Sequence, residues 1–354
     1  MEPVDIPERA SWRRDLAAYV AVDRRRSLGQ IASVVLPYFG VWTLAAIVHP
    51  GVGVAIGLGL AATVFLSRMY SFFHDLTHTS MFEPRRANRG WGYLLGFLLF
   101  TPYRWWQRQH SLHHANTGNL EKRGPGEIYT MTVTEYERAS RPRRIGYRVY
   151  RNPLMITLVG PSLVFLFARR FPQRGMSRRT LLSVVVTNIA LAAWVVGWSA
   201  LAGWRTYLII QGTTLIAGGA VAAWMLYIQH QYEDTYYRSS EEWQFELAAL
   251  QGSSYLRLPR ILAWAVGNSN FHHVHHLSAR IPNYRLREAH ESHPMFARTP
   301  VIDLRGSLRA FQLKLWDEGR GRLVGYPDRR SRSGQALPVQ GRPSAAIADR
   351  ISVG

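Results

Sequence analysis

The 354-residue chain contains no cysteine and few acidic residues: 23 Asp and Glu stand against 43 Lys and Arg, a formal net charge of +20. Without thiols the chain can form no disulfide, no thiolate metal site and no iron–sulfur cluster of its own. The positive charge comes almost entirely from arginine, which fits either nucleic acid or the anionic inner leaflet of a membrane. The distribution of the apolar residues decides between these two partners.

Long apolar runs occur in two pairs, and a very short turn separates the members of each pair. The runs cover residues 31–48, 51–69, 181–203 and 206–228. Each run approaches or reaches the roughly 20 residues that a helix needs to cross a bilayer. We therefore expect two transmembrane hairpins, rather than helices buried inside a soluble protein, and we expect no nucleic-acid partner.

Charge placement predicts the orientation of these hairpins. Arginines precede the first run and fill the connection between the two pairs, whereas the tight turns offer only His49 and Arg205. By the positive-inside rule, both termini and the middle segment face the cytoplasm, as in a protein of the inner (cytoplasmic) membrane. Two weaker apolar runs, 91–101 and 154–168, are too short to span, and we interpret them as re-entrant or interfacial helices.

The predicted fold class is thus an all-α integral membrane protein, with four transmembrane helices as two hairpins and a helical cytoplasmic cap. Residues 1–30 form a cytoplasmic N-terminal segment, and residues 31–316 form the membrane domain. The cap is drawn from residues 70–180 and 229–316. Residues 317–354 are rich in Arg, Gly, Ser and Pro and are predicted to be a disordered tail.

Histidine is clustered beside the apolar runs in three boxes. "HDLTH" places two imidazoles at i, i+4, while "HSLHH" and "HHVHH" each place three at i, i+3, i+4 on one helical face. A further histidine ends the fourth run. Because every cluster follows an even number of crossings, nine histidines are expected on the same side of the membrane: His74, His78, His110, His113, His114, His230, His272, His275 and His276.

Nine imidazoles exceed the three or four protein ligands of a single zinc site. They suit two metal ions with several nitrogen ligands each. All-imidazole ligation is compatible with iron, zinc, copper or manganese, so the ligands alone do not select the metal. The boxes therefore predict a two-metal centre on the cytoplasmic face.

In these boxes the sequence resembles the membrane fatty acid desaturases, whose pattern is HxxxH, HxxHH and HxxHH separated by transmembrane hairpins. More narrowly, it resembles bacterial acyl-lipid desaturases of the delta-12 (omega-6) and related delta-5 type. The stretches that carry the resemblance are "HDLTH", "HSLHHANTGNLEKRGPGEIYTMTVTEY", "YRNPL", "QHQYEDTYY" and "FHHVHHLSARIPNY", within about residues 30–300. One departure is "HDLTH", where many relatives have "HDCGH"; both histidine positions are kept.

The resemblance implies a non-heme di-iron centre with the nine histidines above as ligands. It implies an oxygen-dependent reaction that removes two hydrogens from an acyl chain and leaves a cis double bond, with O2 as co-substrate. The expected substrate is a fatty acyl lipid, a glycerolipid by the same resemblance. Because the chain has no cysteine cluster, the electrons are expected from a separate donor of ferredoxin or cytochrome type.

Five further residues are candidates to support the centre without binding metal. His273 lies in the third box but off its i, i+3, i+4 face, which indicates a supporting or packing role. Asp75, Glu233 and Asp234 adjoin the expected ligands and could accept an imidazole N–H, or else form solvated caps and ion pairs. Asn268 precedes His272 by one turn and could reach the metal through a water.

Three other histidines are expected to lie outside the centre. His290 and His293 fall in a polar segment and are interpreted as surface residues. His49 lies in "HPGVG", which is similar to the heme-binding HPGG of cytochrome b5, but it lies between two spans without a second heme histidine. We therefore expect no fused cytochrome.

Three other functions compete with a desaturase. A di-iron hydroxylase or ketolase of the same superfamily, acting on an alkane, sterol or carotenoid, would share the boxes. A membrane zinc hydrolase would need a catalytic carboxylate in an HExxH-type arrangement, which is missing from the sequence. A metal transporter would place ionisable residues within the spans, and these spans are nearly free of them.

Overall fold

The computed structural model describes residues 9–124 and 126–327, and nearly all of its regular structure is helical. The α-helices are α1 (Arg9–Asp15), α2 (Arg24–Val48), α3 (Val52–Thr77), α4 (Arg85–Leu98), α5 (Tyr103–Asn116), α6 (Val133–Arg138), α7 (Arg141–Tyr150), α8 (Gly160–Leu163), α9 (Arg178–Ala202), α10 (Trp204–His230), α11 (Phe245–Leu250), α12 (Arg260–Ala265), α13 (His272–Leu277), α14 (Leu286–Ser292) and α15 (Leu304–Ala310). Single 3-10 turns cover Ala17–Val20, Asn283–Arg285 and Pro294–Arg298, and π-helical turns, Met155–Val159 and Val164–Ala168, flank α8.

Sheet structure is confined to two small pairs of strands in the described residues. Strand β1 (Tyr255–Leu256) runs parallel to β2 (Val301–Ile302), and β3 (Leu315–Asp317) runs antiparallel to β4 (Arg322–Val324). The prediction of a helical fold is therefore confirmed.

Within the described residues, four helices are long and apolar enough to cross a membrane: α2, α3, α9 and α10, with 25 to 27 residues each. At 1.5 Å per residue such helices are about 37 to 40 Å long, more than the hydrocarbon core of a bilayer. Their outer faces carry exposed apolar side chains such as Leu36, Ile47 and Val196. The four predicted spans are confirmed as helices, and α3 and α10 continue beyond the predicted ends to carry histidines into the cap.

Short turns join the members of each hairpin, as the sequence predicts. After α2, His49 adopts a left-handed conformation with φ of 45°, and α3 begins three residues later. Between α9 and α10 a single residue, Gly203, turns the chain with φ of 85°. Glycine adopts a positive φ at little energetic cost, so this turn can be one residue long.

The packing of α3 against α10 sets the distance between two histidine-bearing helix ends. A Cβ atom on Gly59 would lie 2.7 Å from Thr213 Cβ, so the two backbones approach more closely than a larger residue allows. Across this contact Thr214 donates a hydrogen bond to the Gly59 carbonyl (3.1 Å). This contact fixes the position of the first hairpin along the axis of the second.

The two weaker apolar runs form helical structure in the described chain. The first lies largely in α4, which packs against α3 and α9. The second forms the helical segment from Met155 to Ala168, which is bent by 65° from α7. By length and composition this bent pair is either a broken fifth span or a re-entrant loop. Our re-entrant or interfacial interpretation of it stays a prediction.

The C-terminal boundary differs from the prediction. Strands β3 and β4 form a hairpin in which Trp316 and Leu323 are buried, and Leu323 N–H donates to the Glu233 carbonyl. The chain is therefore folded through residue 327, and the predicted start of the disordered tail at residue 317 is wrong. The rest of that predicted tail, residues 328–354, lies outside the described residues.

Candidate metal centre

Four segments bring the three histidine boxes together. Helix α3 carries His74 and is capped by His78, α10 ends at His230, and α5 and α13 carry three box histidines each. The nine side chains form two groups that can each hold a metal ion. The first group contains His74, His78, His110, His114 and His275, and the second contains His113, His230, His272 and His276.

The nitrogen atoms within each group converge. In each group the candidate ligand atoms all lie within 4.8 Å of one another. His114 Nε2 lies 3.0 Å from the Nε2 atoms of both His110 and His275, and His272 Nε2 lies 3.0 and 2.9 Å from those of His230 and His276. Two nitrogens at right angles on one metal, each about 2.1 Å from it, are about 3.0 Å apart. The spacing therefore fits a shared cation.

The two groups interlock through α5 and α13. Helix α5 gives His113 to the second group and its other two box histidines to the first, while α13 gives only His275 to the first. The rings of His114 and His276, one from each group, stack with centroids 4.2 Å apart. The two sites are therefore direct neighbours, which is the arrangement expected of a two-metal centre.

Most of these imidazoles are neutral at pH 7. Burial, followed by repulsion from the neighbouring imidazoles, lowers the pKa well below 6.5 for His78, His110, His113, His114, His272, His275 and His276. A neutral imidazole keeps a lone pair for metal, whereas a protonated one has none. The buried Nε2 atoms of His78 and His113 have no hydrogen-bond partner in the described residues. The residues present thus fit metal ions with nitrogen ligands.

Acceptors beside the other ring nitrogens orient several of the rings. The carbonyl of Gly252 accepts from His230 Nδ1 (2.8 Å), and Asp75 Oδ1 lies 3.3 Å from His74 Nδ1. Asp75 is held in turn by the backbone and side-chain N–H groups of Asn283 (2.7 and 3.0 Å). With a proton on Nδ1, each Nε2 is left free for metal. The interpretation of Asp75 as a supporting residue agrees with this geometry.

Glu127 is a supporting candidate that the sequence interpretation missed. Its buried Oε1 lies 3.7 Å from His113 Nδ1, and burial raises the pKa of Glu127 to about 8. The preceding Gly126 packs against the same histidine, because a Cβ there would lie 2.9 Å from His113 Cβ. The only sequence signal is the compact "GPGE", a turn motif that brings the acid back onto α5.

The remaining sequence candidates lie elsewhere. Glu233 is exposed and pairs with Arg322 (2.9 Å), so its alternative interpretation as an ion pair holds, and Asp234 is exposed as well. Asn268 has φ of 59° and donates to the Asn283 carbonyl (3.2 Å), which braces the loop beside Asp75. None of these contacts is made with an imidazole.

His273 belongs to neither metal group. Its fully buried ring places Nε2 at 2.9 Å from His290 Nδ1, in a packing role as predicted. His290, expected at the surface, is instead half-buried between Tyr255 and Phe271 because α14 packs on α13. That expectation is wrong. His293 accepts a hydrogen bond from the Met295 backbone and lies 3.2 Å from Asp15, outside the centre.

A cavity of about 450 Å³ opens against one side of the histidines. His74, His110, His113 and His272 lie on its wall. Most of the remaining lining is apolar and comes mainly from α3, α10 and the π-helical segment, with one residue each from the ends of α4 and α12: Leu66, Val164, Phe165, Leu215, Val221, Ala222, Met225, Leu226, Leu99 and Val266. The site thus combines nitrogen ligands with an apolar chamber, which suits a hydrocarbon chain.

Comparison with known proteins agrees with this chemistry. The family model described as fatty acid desaturase matches residues 49–301. The chain is 39% identical over 317 residues to "Fatty acid desaturase" of Bacillus subtilis, covering 88% of this chain and 89% of that protein. It is 25% identical over 230 residues to "sn-1 oleoyl-lipid 12-desaturase" of Synechocystis (62% of each chain) and 23% identical over 290 residues to the protein of that name in Anabaena variabilis (76% and 77%).

The family match extends from the turn between α2 and α3 to the start of β2, and the relative from Bacillus subtilis is similar over most of its own length. All three histidine boxes fall within the matched residues. The resemblance found in the sequence is therefore confirmed, and the chain belongs to the fatty acid desaturase family of oxidoreductases.

Proposed function

We propose that the chain introduces a cis double bond into a lipid-linked acyl chain, at a di-iron centre ligated by the eight box histidines and His230. The observation that carries the proposal is the contact between two groups of converging imidazoles and an apolar cavity. A hydrolase would need a catalytic carboxylate at the substrate, but no Asp or Glu is found among the described residues that line this cavity.

The net reaction consumes one O2, two electrons and two protons. Two hydrogens leave adjacent carbons of the acyl chain, a carbon–carbon double bond forms, and two water molecules are released. Iron with O2 would supply the oxidant that an unactivated C–H bond requires. Imidazole is a suitable ligand for this chemistry because it lacks the thiolate sulfur that oxidants attack.

The protein would supply orientation and exclusion of water. Rigid helices hold the nine imidazoles, and Asp75 and the Gly252 carbonyl fix the orientation of two of them. The apolar wall of the cavity favours the acyl chain over water. Gly218 and Gly219 line it as well, where α10 keeps room for the chain.

The membrane arrangement belongs to the same proposal. We place the protein in the inner membrane with both termini and the histidines in the cytoplasm, since arginines crowd that side of the predicted spans. In this arrangement the predicted domain of residues 31–316 consists of the membrane spans and a cytoplasmic cap. A separate ferredoxin or cytochrome would deliver electrons there, and an acidic ferredoxin would be attracted to the basic face.

The direct test is the acyl composition of a host that expresses the chain with a ferredoxin and its reductase. The His114→Ala variant, which removes the imidazole shared by two close Nε2 contacts, is the inactive control. We expect a new unsaturated acyl chain only with the unchanged protein, and mass spectrometry locates its double bond. A hydroxylated product would favour the hydroxylase alternative, and equal profiles with both proteins would contradict the proposal.

A further inference from the structure

The cavity beside the histidines carries a cationic group that the desaturation chemistry does not use. Arg169 lines it, at the end of the π-helical segment that follows α8. Gln173, four residues later, is exposed and also lines the cavity, which marks an opening to the surface at this point. Arg169 therefore lines the cavity in the same segment as a lining residue that reaches the surface.

The donors of Arg169 are only partly used. Nη1 donates to Thr101 Oγ1 (2.7 Å), and the guanidinium lies over the rings of Phe165 and Trp105, at 4.6 and 5.3 Å from their centroids. Its buried Nε has no acceptor in the part of the chain that the structure describes. A guanidinium carries five N–H donors and stays charged at any physiological pH.

No carboxylate balances this charge inside the cavity. Its described lining residues include three amides, Gln109, Gln173 and Gln229, and no Asp or Glu, and Gln109 Oε1 is itself buried without a donor. The surrounding segment adds charge of the same sign, with arginines at 169, 170, 174, 178 and 179 and no acid between them. Arg169 is half-buried with a buried Nε, and a positive charge that is partly removed from water is stabilised when an anion joins it.

We propose that Arg169 binds an oxyanion in the head of the acyl substrate, so that the substrate class is an anionic acyl lipid. The inference rests on the proposed function, because it takes the apolar chamber as the acyl site. Guanidinium groups pair with phosphate and carboxylate through two parallel hydrogen bonds, which Arg169 retains donors to make. The anchored head would then set how far the chain reaches past His74 and His110.

Matched amphiphiles test this inference without turnover. Binding of radiolabelled 1-palmitoyl-lysophosphatidate, palmitate and monopalmitoylglycerol is measured to the full-length protein in mild detergent, with no electron donor present. These ligands share an acyl chain and differ in head charge. We expect Arg169→Gln to weaken binding of lysophosphatidate about tenfold or more and to leave monopalmitoylglycerol within about twofold.

Two further variants separate binding from folding. Arg174→Gln makes the same change on an exposed arginine of the same segment that does not line the cavity, and should leave all three affinities unchanged. Arg169→Lys keeps the charge and should restore part of the lysophosphatidate affinity. An equal loss of palmitate affinity in Arg169→Gln would extend the site to carboxylate heads, whereas loss of lysophosphatidate alone would assign it to phosphate.

Two results would overturn the inference. In one, Arg169→Gln binds all three amphiphiles as the unchanged protein does; in the other, it loses the uncharged ligand to the same degree. Neither readout depends on double-bond formation. A chain that makes no unsaturated product yet shows Arg169-dependent lysophosphatidate binding would therefore contradict the desaturase proposal and keep the anion site.

Discussion

Single residues outside the ligand set determine how the imidazoles are presented. Asp75 and Glu127 each place a carboxylate oxygen beside the Nδ1 atom of a histidine, at 3.3 Å from His74 and 3.7 Å from His113. The Asp75 contact is the better defined, because two hydrogen bonds from Asn283 hold the carboxylate in place. A carboxylate acceptor such as Asp75 raises the basicity of the ligand and fixes its ring, whereas Glu127, whose pKa is about 8, is mostly protonated at pH 7.

Replacement of Asp75 by Asn should therefore weaken metal binding. The expected loss is about 10-fold to 100-fold in iron affinity, because His74 loses an anionic acceptor for its Nδ1 proton. Iron bound per protein is measured against increasing chelator. Glu233→Gln, at an exposed acid three residues beyond His230, serves as the control and should behave as the unchanged protein. Equal iron retention by Asp75→Asn would exclude the supporting role.

The pair formed by His273 and His290 should affect stability and not metal content. His273→Ala removes a buried ring and its 2.9 Å contact, so we expect the unfolding temperature to fall by several degrees while bound iron is kept. His290→Ala should act on the same contact, and the double variant should lose less than the sum of the two. His276→Ala, in contrast, should lose iron. Loss of iron in His273→Ala would place it among the ligands.

Residue spacing explains why the converging histidines could be predicted from the sequence and their neighbours only in part. Positions i, i+3 and i+4 share a helical face whatever the rest of the fold does. The boxes on α5 and α13 can therefore be recognised from residue spacing alone. Glu127 reaches His113 only because a loop folds back, and His290 is buried only because α14 packs on α13. Neither contact leaves a periodic signal in the sequence.

At the scale of elements, the contact between α3 and α10 determines the relative positions of the histidines in the centre. These helices bear His74 and His230 at their cap ends, and Gly59 permits their close approach. A shift of one helix along the other would move histidines of both groups relative to α5 and α13. The contact is therefore more sensitive to added volume than the lipid-facing surface is.

A valine at Gly59 should destabilise the protein by about 1 to 3 kcal/mol, because its side chain would collide with Thr213. We expect a lower thermal unfolding midpoint in detergent and a lower iron content. Gly57→Val is the matched control, since Gly57 is exposed on the same helix and no atom lies within 4 Å of its Cβ position. If both variants unfold at the same temperature, the close packing is not what holds the helices.

The long elements were predictable and the short ones were not. Apolar runs of 18 to 23 residues, nearly free of charge, leave few alternatives to a spanning helix, although α3 and α10 continue past them into the cap. The hairpin of β3 and β4 has three residues per strand in a segment of tail-like composition. It is stabilised by contacts with residues distant in sequence, such as the hydrogen bond from Trp316 N–H to the Met131 carbonyl (3.0 Å). Such contacts leave no local pattern from which the hairpin could be predicted.

For the whole molecule, the metal-free histidine cluster is a source of pH sensitivity. In the folded chain these pKa values lie well below 6.5, whereas an unfolded chain titrates near 6.5. The unfolded state therefore binds more protons as the pH falls below about 6.5, and stability is lost in that direction. Above this pH both states are neutral and the difference disappears.

Chelator-treated protein should accordingly unfold at lower temperature as the pH is lowered from about 7 to 5, while the metal-bound protein keeps its stability further into this range. The measurement is the thermal unfolding midpoint at several pH values, with and without restored iron. Bound metal excludes protons from the ligand nitrogens until it leaves. A midpoint that is independent of pH after metal removal would show that the imidazoles are solvated.

The interlocked histidine groups have a consequence for biosynthesis. His272, His275 and His276 come from one short helix late in the chain, and both groups need it. A nascent chain that has already inserted its fourth long helix still holds two incomplete sites, with four histidines in one and two in the other. Both sites are complete only after residue 276 has been synthesised, so a chain that terminates before residue 272 should reach the membrane with two imidazoles in the second site, too few to hold a metal ion, and with the first site lacking one of its five.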